Sequence, residues 1–205
     1  MLLGQRKKSR LAGLTPQLGF STVELVVTVA VLMILAAISI PTLTHAFLTY
    51  QYNAAAAQVA GMLKFTRHEA IRLNKPVSCV VEQNAAGWLV FADSNGNGNG
   101  NPDASESQYV MTGTPSLVPA GGLPDTSPIT NQLGASGLVL SAPSGVNTSL
   151  TFDQRGAVTT GPNVYALYIG NTASPELGYR AVVLLPSGVV HVWTAAQNGP
   201  WQQVN

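Results

Sequence analysis

Cysteine is almost missing from this chain: Cys79 stands alone among 205 residues. No intramolecular disulfide can form, so any folded domain must be held by its core. Cys79 lies in a strand-like run and reads as an inert small hydrophobe. Histidine is scarce too. His45, His68 and His191 have no metal-ligand spacing with one another or with Cys79, and His68 and His191 read as structural or surface residues. No Ser/His/acid or Cys/His set is suggested, and no glycine loop leads into a helix to cradle a phosphate. An enzyme is therefore not expected. Charge is thin, at 9% of residues, and no acid precedes Glu24, whereas Arg6, Lys7, Lys8 and Arg10 do.

One long apolar run follows those cations. Residues 25–40 carry no charge and only two hydroxyls, Thr28 and Ser39, and counted from Phe20 the span reaches 21 residues. At about 1.5 Å per residue it covers roughly 30 Å, enough to cross a bilayer core. The flanking cations put the N-terminus in the cytoplasm and everything after Pro41 outside. A secretory signal peptide would want a shorter core and a small-x-small cleavage site, and none is convincing here; an ordinary signal anchor is not excluded by composition. Glu24, a turn inside the run, is costly there unless it has a partner or a function. Pro41 lacks an N–H and should bend or locally melt the helix as it leaves the apolar region.

The junction Gly19-Phe20-Ser21-Thr22-Val23-Glu24 closely resembles the leader-peptidase site of type IV pilins and type II secretion pseudopilins. That resemblance implies cleavage after Gly19 by a prepilin peptidase, N-methylation of Phe20, and an assembly role for Glu24 and for the helix-kinking Pro41. A new amino group on Phe20 could then pair with Glu24 of a neighbouring subunit in a low-dielectric bundle, setting the register of one subunit on the next. Without the leader, six basic residues face nine acidic ones, about −3 rather than +1.

Beyond Pro41 a helix should resume. Leu43, Phe47, Tyr50, Ala54, Ala57, Gly61, Met62, Phe65 and Ile71 recur at three- and four-residue intervals, a stripe expected to pack on a sheet. Asn74 and the Lys75-Pro76 pair should end it. Lys64, Arg67, Arg72 and Lys75 are the basic residues of this stretch; they read as a solvated face or, more sharply, as a small anion or DNA patch.

From Val77 the period becomes two. Runs at 77–83, 88–92, 108–112, 138–141, 149–153, 164–169, 179–185 and 189–193 are β-branched or aromatic and bounded by turn formers, suggesting two packed antiparallel sheets beside a helix. Pro186-Ser187-Gly188 reads as a hairpin turn. Residues 113–137 read as a long loop, and the tail 195–205 lacks periodicity but keeps Trp201, a candidate to dock on the domain.

The loop between the second and third runs is the candidate ligand site. Asn95, Asn97, Asn99, Asn101, Asp103 and Glu106, with Gly100 at the sixth position and Asp93 nearby, have the spacing of a calcium loop. Asn-Gly turns of a polar hairpin would explain the same residues without metal. Calcium is the only cofactor considered.

The segments 66–81, 87–93, 150–156 and 180–192 resemble the GspH/FimT group of minor pilins and pseudopilins. The resemblance implies an α+β, pilin-like fold: leader 1–19, transmembrane and assembly helix 20–41, its amphipathic continuation 42–75, an extracytoplasmic β-rich domain 76–194 and a tail 195–205. It also implies a single-pass bacterial inner-membrane subunit with a periplasmic C-terminal domain. Expected partners are the prepilin peptidase, membrane lipid, an inner-membrane assembly platform and other pilins or pseudopilins in a helical filament. Two roles stay open: a minor pseudopilin of a type II secretion pseudopilus, or a FimT-like minor pilin of a type IV pilus acting in pilus biogenesis or DNA uptake. DNA is an unlikely partner of the β domain, since 187–193 lacks the arginines of DNA-receptor relatives and the domain is acidic.

Overall fold

The computed structural model describes residues 19–85, 87–98, 101–118, 121–140 and 148–204. Most of the expected leader, 1–18, lies outside them. The chain divides into two compact units, Met1–Thr42 and Leu43–Asn205, both traversed by helix α1, Thr22–Leu73.

In the first unit the apolar residues of α1 have no protein around them. Val23, Leu32, Met33, Ile38 and Ile40 are each more than 60% exposed, and the helix is long and apolar enough to cross a membrane. The hydroxyl of Thr28 donates to the Leu25 carbonyl at 2.8 Å, so the helix satisfies its own polar group. The helix does not melt at Pro41. Helical structure runs through it, and the Thr42 hydroxyl donates to the Ile38 carbonyl at 3.2 Å.

In the second unit α1 ends with a left-handed residue. Asn74 has φ 49°, its N–H donates to the Ile71 carbonyl at 3.3 Å, and the Lys75 N–H donates to Ala70 at 3.2 Å. This paired closure satisfies carbonyls that would otherwise be orphaned, and Pro76 prevents further helix.

The buried face of α1 is not the stripe expected from the sequence. Tyr52, Ala55, Ala56, Val59, Ala60, Leu63, Thr66 and Ala70 are buried, while Leu43 is 72%, Phe47 59% and Tyr50 69% exposed, and Phe65 and Ile71 also face outward. The reason is which row the two sheets cover. Four alanines, with Val59 and Leu63, fill the core that α1 shares with both sheets, which leaves the aromatic row on the outer side.

Ten strands form two sheets among the described residues. The strands β1 (Val77–Asn84), β2 (Gly87–Asp93), β3 (Gln108–Met111) and β6 (Thr148–Phe152) make an antiparallel sheet in the order β3-β2-β1-β6. The second sheet runs β10-β9-β8-β7-β4, from β10 (Gln202–Val204), β9 (Val190–Ala195), β8 (Tyr179–Leu184), β7 (Val164–Gly170) and β4 (Ser116–Leu117). The short β5 (Leu138–Leu140) adds to β7 in parallel, against Val164 to Ala166, while β4 pairs antiparallel with Ile169 and Gly170. The second sheet is thus not purely antiparallel, because two short strands pair with different ends of β7.

Strand alternation sorts side chains into separate cores. Val77, Cys79 and Val81, Tyr165, Leu167 and Ile169, and Val182 and Leu184 share a core with the alanine face of α1. Ala166 and Tyr168, with Tyr179, Ala181, Val183, Trp193 and Ala195, meet a second core with Val118, Ile129 and Trp201. That second core corrects the expectation of a structureless loop at 113–137. The segment contains β4 and helix α2 (Ser127–Leu133), and it roofs the outer face of the second sheet with Val118 and Ile129. Trp201 does dock there: it is 3% exposed, its indole N–H donates to the Pro124 carbonyl at 3.3 Å, and its ring lies 5.7 Å from that of Tyr168. The tail is a strand as well, since β10 pairs with β9.

Candidate functional site

Three groups of residues were singled out by the sequence, and the structure treats each differently. At the head of the described chain, Gly19 and Phe20 precede the helix, and the first backbone bond runs from the Leu25 N–H to the Ser21 carbonyl at 3.1 Å. Phe20 is 71% exposed, and Glu24 is the acidic residue of the first helical turn. A carboxylate there interacts favourably with the helix dipole. Nothing within 4 Å of Gly19 would meet an added Cβ.

The basic residues of α1 do not form one free patch. Arg67 is half-buried and its Nε donates to the Gly156 carbonyl at 3.1 Å. It packs where the loop after β6 meets the β8–β9 hairpin, with Gly156 and Gly188 in contact with its side chain. Arg72 forms a two-pronged pair with Glu69, its Nη2 at 2.6 Å from Oε2, and that hydrogen-bonded carboxylate pushes the arginine's pKa up. Lys64 is exposed and Lys75 half-buried. Two of the four cations are committed within the chain, which weakens the electrostatic term a DNA patch would need.

The Asn-Gly loop is organised by its own hydrogen bonds. Asp93 is 7% exposed, and its two oxygens accept from the Gly96 N–H at 2.7 Å and the Gly98 N–H at 3.2 Å. Glu106, also 7% exposed, accepts from the Asn95 N–H at 3.4 Å and the Asp103 N–H at 3.0 Å. Asp103 Oδ2 accepts from the side-chain amides of Asn95 and of Asn97, the latter at 2.8 Å. Asn101 is exposed; Asn99 and Gly100 lie outside the described residues. Asx-type closures of this kind use carboxylate oxygens on backbone N–H groups rather than turning them to one point. Among the described residues no group of three His, Cys, Asp or Glu is arranged to hold a metal.

The sequence reading passed over Arg180 as a site. Arg180 interrupts the apolar strand Tyr179–Leu184 and is 5% exposed; a lone cation within such a run is the signal that could have marked it. Cys79 is fully buried, and burial pushes its thiol up to about 12 against a weaker opposing hydrogen bond with Thr66, which leaves it inert as expected.

Residues 55–188 match the family model described as Type II transport protein GspH. No curated protein is a significant match. Among solved structures the chain is similar to the type IV minor pilin FimU of Pseudomonas aeruginosa strain PAO1. The crystal form in space group P65 is 16% identical over 72% of this chain and 96% of FimU, with a TM-score of 0.45. The form in P21 is 14% identical over 76% of this chain and 90% of FimU, with a TM-score of 0.37.

Proposed function

Because this chain belongs to the GspH family, whose members are pilin-like subunits, we propose that it is a minor pseudopilin of a type II secretion pseudopilus. The match across 55–188 carries the reading, since it spans the end of α1, the whole first sheet and β4, β5, β7 and β8 of the second. Family membership implies assembly with other pilins or pseudopilins in a filament. The apolar helix gives the anchor typical of such subunits, for α1 is long and apolar enough to cross a membrane.

In this reading the prepilin peptidase cuts after Gly19, Phe20 becomes the methylated N-terminus, and the chain spans the bacterial inner membrane with its sheets in the periplasm. Glu24 then accepts the terminal amino group of a neighbouring subunit, and an inner-membrane platform extracts the assembled helix from lipid. The exposed Gly19-Phe20 pair ahead of the helix supports access by a peptidase, and the exposed ridge of Leu43, Phe47 and Tyr50 supports burial against other subunits, since large apolar surfaces left open mark interaction sites. The type IV pilus alternative, with DNA uptake, loses support from the internal ties of Arg67 and Arg72.

Deleting the gene and scoring enzyme secretion, twitching and DNA uptake in one strain tests the reading. Loss of secretion alone, restored by the wild-type gene and not by Glu24→Ala, is the expected result. Loss of motility or uptake with secretion intact would overturn it.

A further inference from the structure

Arg180 carries a buried charge without a counter-charge. Its Nε donates to Asn53 Oδ1 at 2.6 Å, and its Nη1 donates to the Tyr179 carbonyl at 3.1 Å and the Leu177 carbonyl at 3.5 Å. All three acceptors are neutral. No carboxylate forms an ion pair with it among the described residues, and its Nη2 makes no hydrogen bond there but is open to solvent rather than sealed in the core. Burial lowers the guanidinium's pKa, yet a guanidinium remains charged in proteins, and a buried cation is ordinarily paired. Close by, the fully buried Tyr52 hydroxyl has no hydrogen-bond partner and feels the charges of Glu176 and Arg180.

Arg180 lines an open cleft of about 510 Å³, too large for a monatomic ion. Its other walls are Asn53, Ala56 and Ala57 of α1, Val192 and Thr194 of β9 and Val204 of β10. Mostly apolar walls around one cation, with Asn53 already bonded to it and Thr194 the other polar group, select a carboxylate on an aliphatic stem, which a guanidinium's forked donors pair with geometrically. Ala57 belongs both to this wall and to the outward-facing row of α1 that includes Phe47 and Tyr50. A polypeptide lying on that exposed row therefore reaches the mouth of the cavity.

We propose that this cavity is a docking site for a glutamate side chain of a partner polypeptide, its methylenes along the alanine and valine walls and its carboxylate on Arg180. The site stands whichever filament the chain enters; that the partner is a neighbouring subunit rests on the filament reading above.

The test uses the full chain in neutral-detergent micelles and the peptide acetyl-Val-Glu-Val-amide. Calorimetry gives the affinity, and the ¹⁵N shift of the Arg180 Nε–H group, assigned with Arg180→Lys, reports its environment. The expected result is saturable binding that moves the Arg180 signal, with the Gln peptide about tenfold weaker or worse. Ala57→Trp should block binding by filling the mouth while leaving Arg180 in place, and Glu176→Gln should leave binding intact. Equal affinity for the Glu and Gln peptides, an unmoved Arg180 signal, or full binding by Ala57→Trp would overturn the proposal. Free butyrate binding as tightly as the peptide would overturn the polypeptide as its source. Peptide binding alongside normal secretion in the deletion strain would sink the pseudopilus reading and spare this one; secretion loss without peptide binding would do the reverse.

Discussion

Replacing Leu63 and Phe47 by alanine, separately, asks which face of α1 holds the domain together. Leu63 is fully buried against the shared core, whereas Phe47 is 59% exposed. Leu63→Ala removes three carbons, about 2.4 kcal/mol at roughly 0.8 kcal/mol each, and leaves a cavity in the shared core that collapses only in part, so the total should be about 3 kcal/mol. Phe47→Ala removes surface that is mostly in solvent already and should stay within about 0.5 kcal/mol. For a domain of about 160 residues the first change lowers Tm by roughly 6–12 °C and the second by about 2 °C at most. The assay is thermal or urea unfolding of the full chain in neutral micelles, followed by tryptophan fluorescence. Trp88, Trp193 and Trp201 are all at most 5% exposed, so each reports on the sheets. Phe47→Ala costing as much as Leu63→Ala would refute the observed helix rotation and restore the stripe expected from the sequence. In cells the ranking should reverse, with Phe47→Ala impairing filament assembly at normal protein levels.

Gly188 has φ 78°, and a Cβ there would lie 2.0 Å from the Gly156 carbonyl oxygen; Gly188→Ala should therefore cost about 2 kcal/mol or more in the same unfolding assay, while Gly96→Ala, at φ 76° in open space, costs about 1 kcal/mol. The Cys79 thiol, raised from 9.0 to about 12 mainly by burial, should resist a maleimide in the folded chain and react only as the domain unfolds. Because its folded pKa is raised, its contribution to stability is fully present below about 9 and is lost as pH climbs towards about 12; Cys79→Ala should flatten that part of the pH–stability curve. The Asn-Gly loop closes on its own N–H and amide donors, so chelation by EDTA should leave Tm unchanged; a fall in Tm restored by millimolar calcium would instead show that the loop opens to hold the ion.

The strands were legible because their signal is local. Period-two runs bounded by turn formers marked eight of them within a residue or two, and Asn74-Lys75-Pro76 announced the end of α1 through backbone chemistry alone. What escaped was set by distant partners. The rotation of α1 could not be read from periodicity, because its alanine-rich row and its aromatic row both recur at helical spacing, and only the two sheets decide which row is covered. The segment 113–137 escaped for a related reason: β4 is two residues long and α2 seven, and each exists to cover Tyr168, Ala181 and Trp193 on the outer face of the second sheet.

The same distinction separates the candidate sites. Gly19, Phe20 and Glu24 stand out in the sequence because their signal is local, a short fixed spacing at the end of a helix. Arg180 is polar in a place that only tertiary structure makes apolar, and Arg67 looked free until Gly156 was brought to it from 89 residues away. Both arginines hold α1 to the β domain, Arg67 through the Gly156 carbonyl and Arg180 through Asn53. They differ in what remains unspent: Arg67 sits against glycines that leave no room for a ligand, whereas Arg180 opens onto a cavity with a donor to spare. A surface that must recognise one partner among similar filament subunits gains more from such a buried charge than from exposed lysines, because a partner without the matching carboxylate leaves the cation unpaired and is rejected.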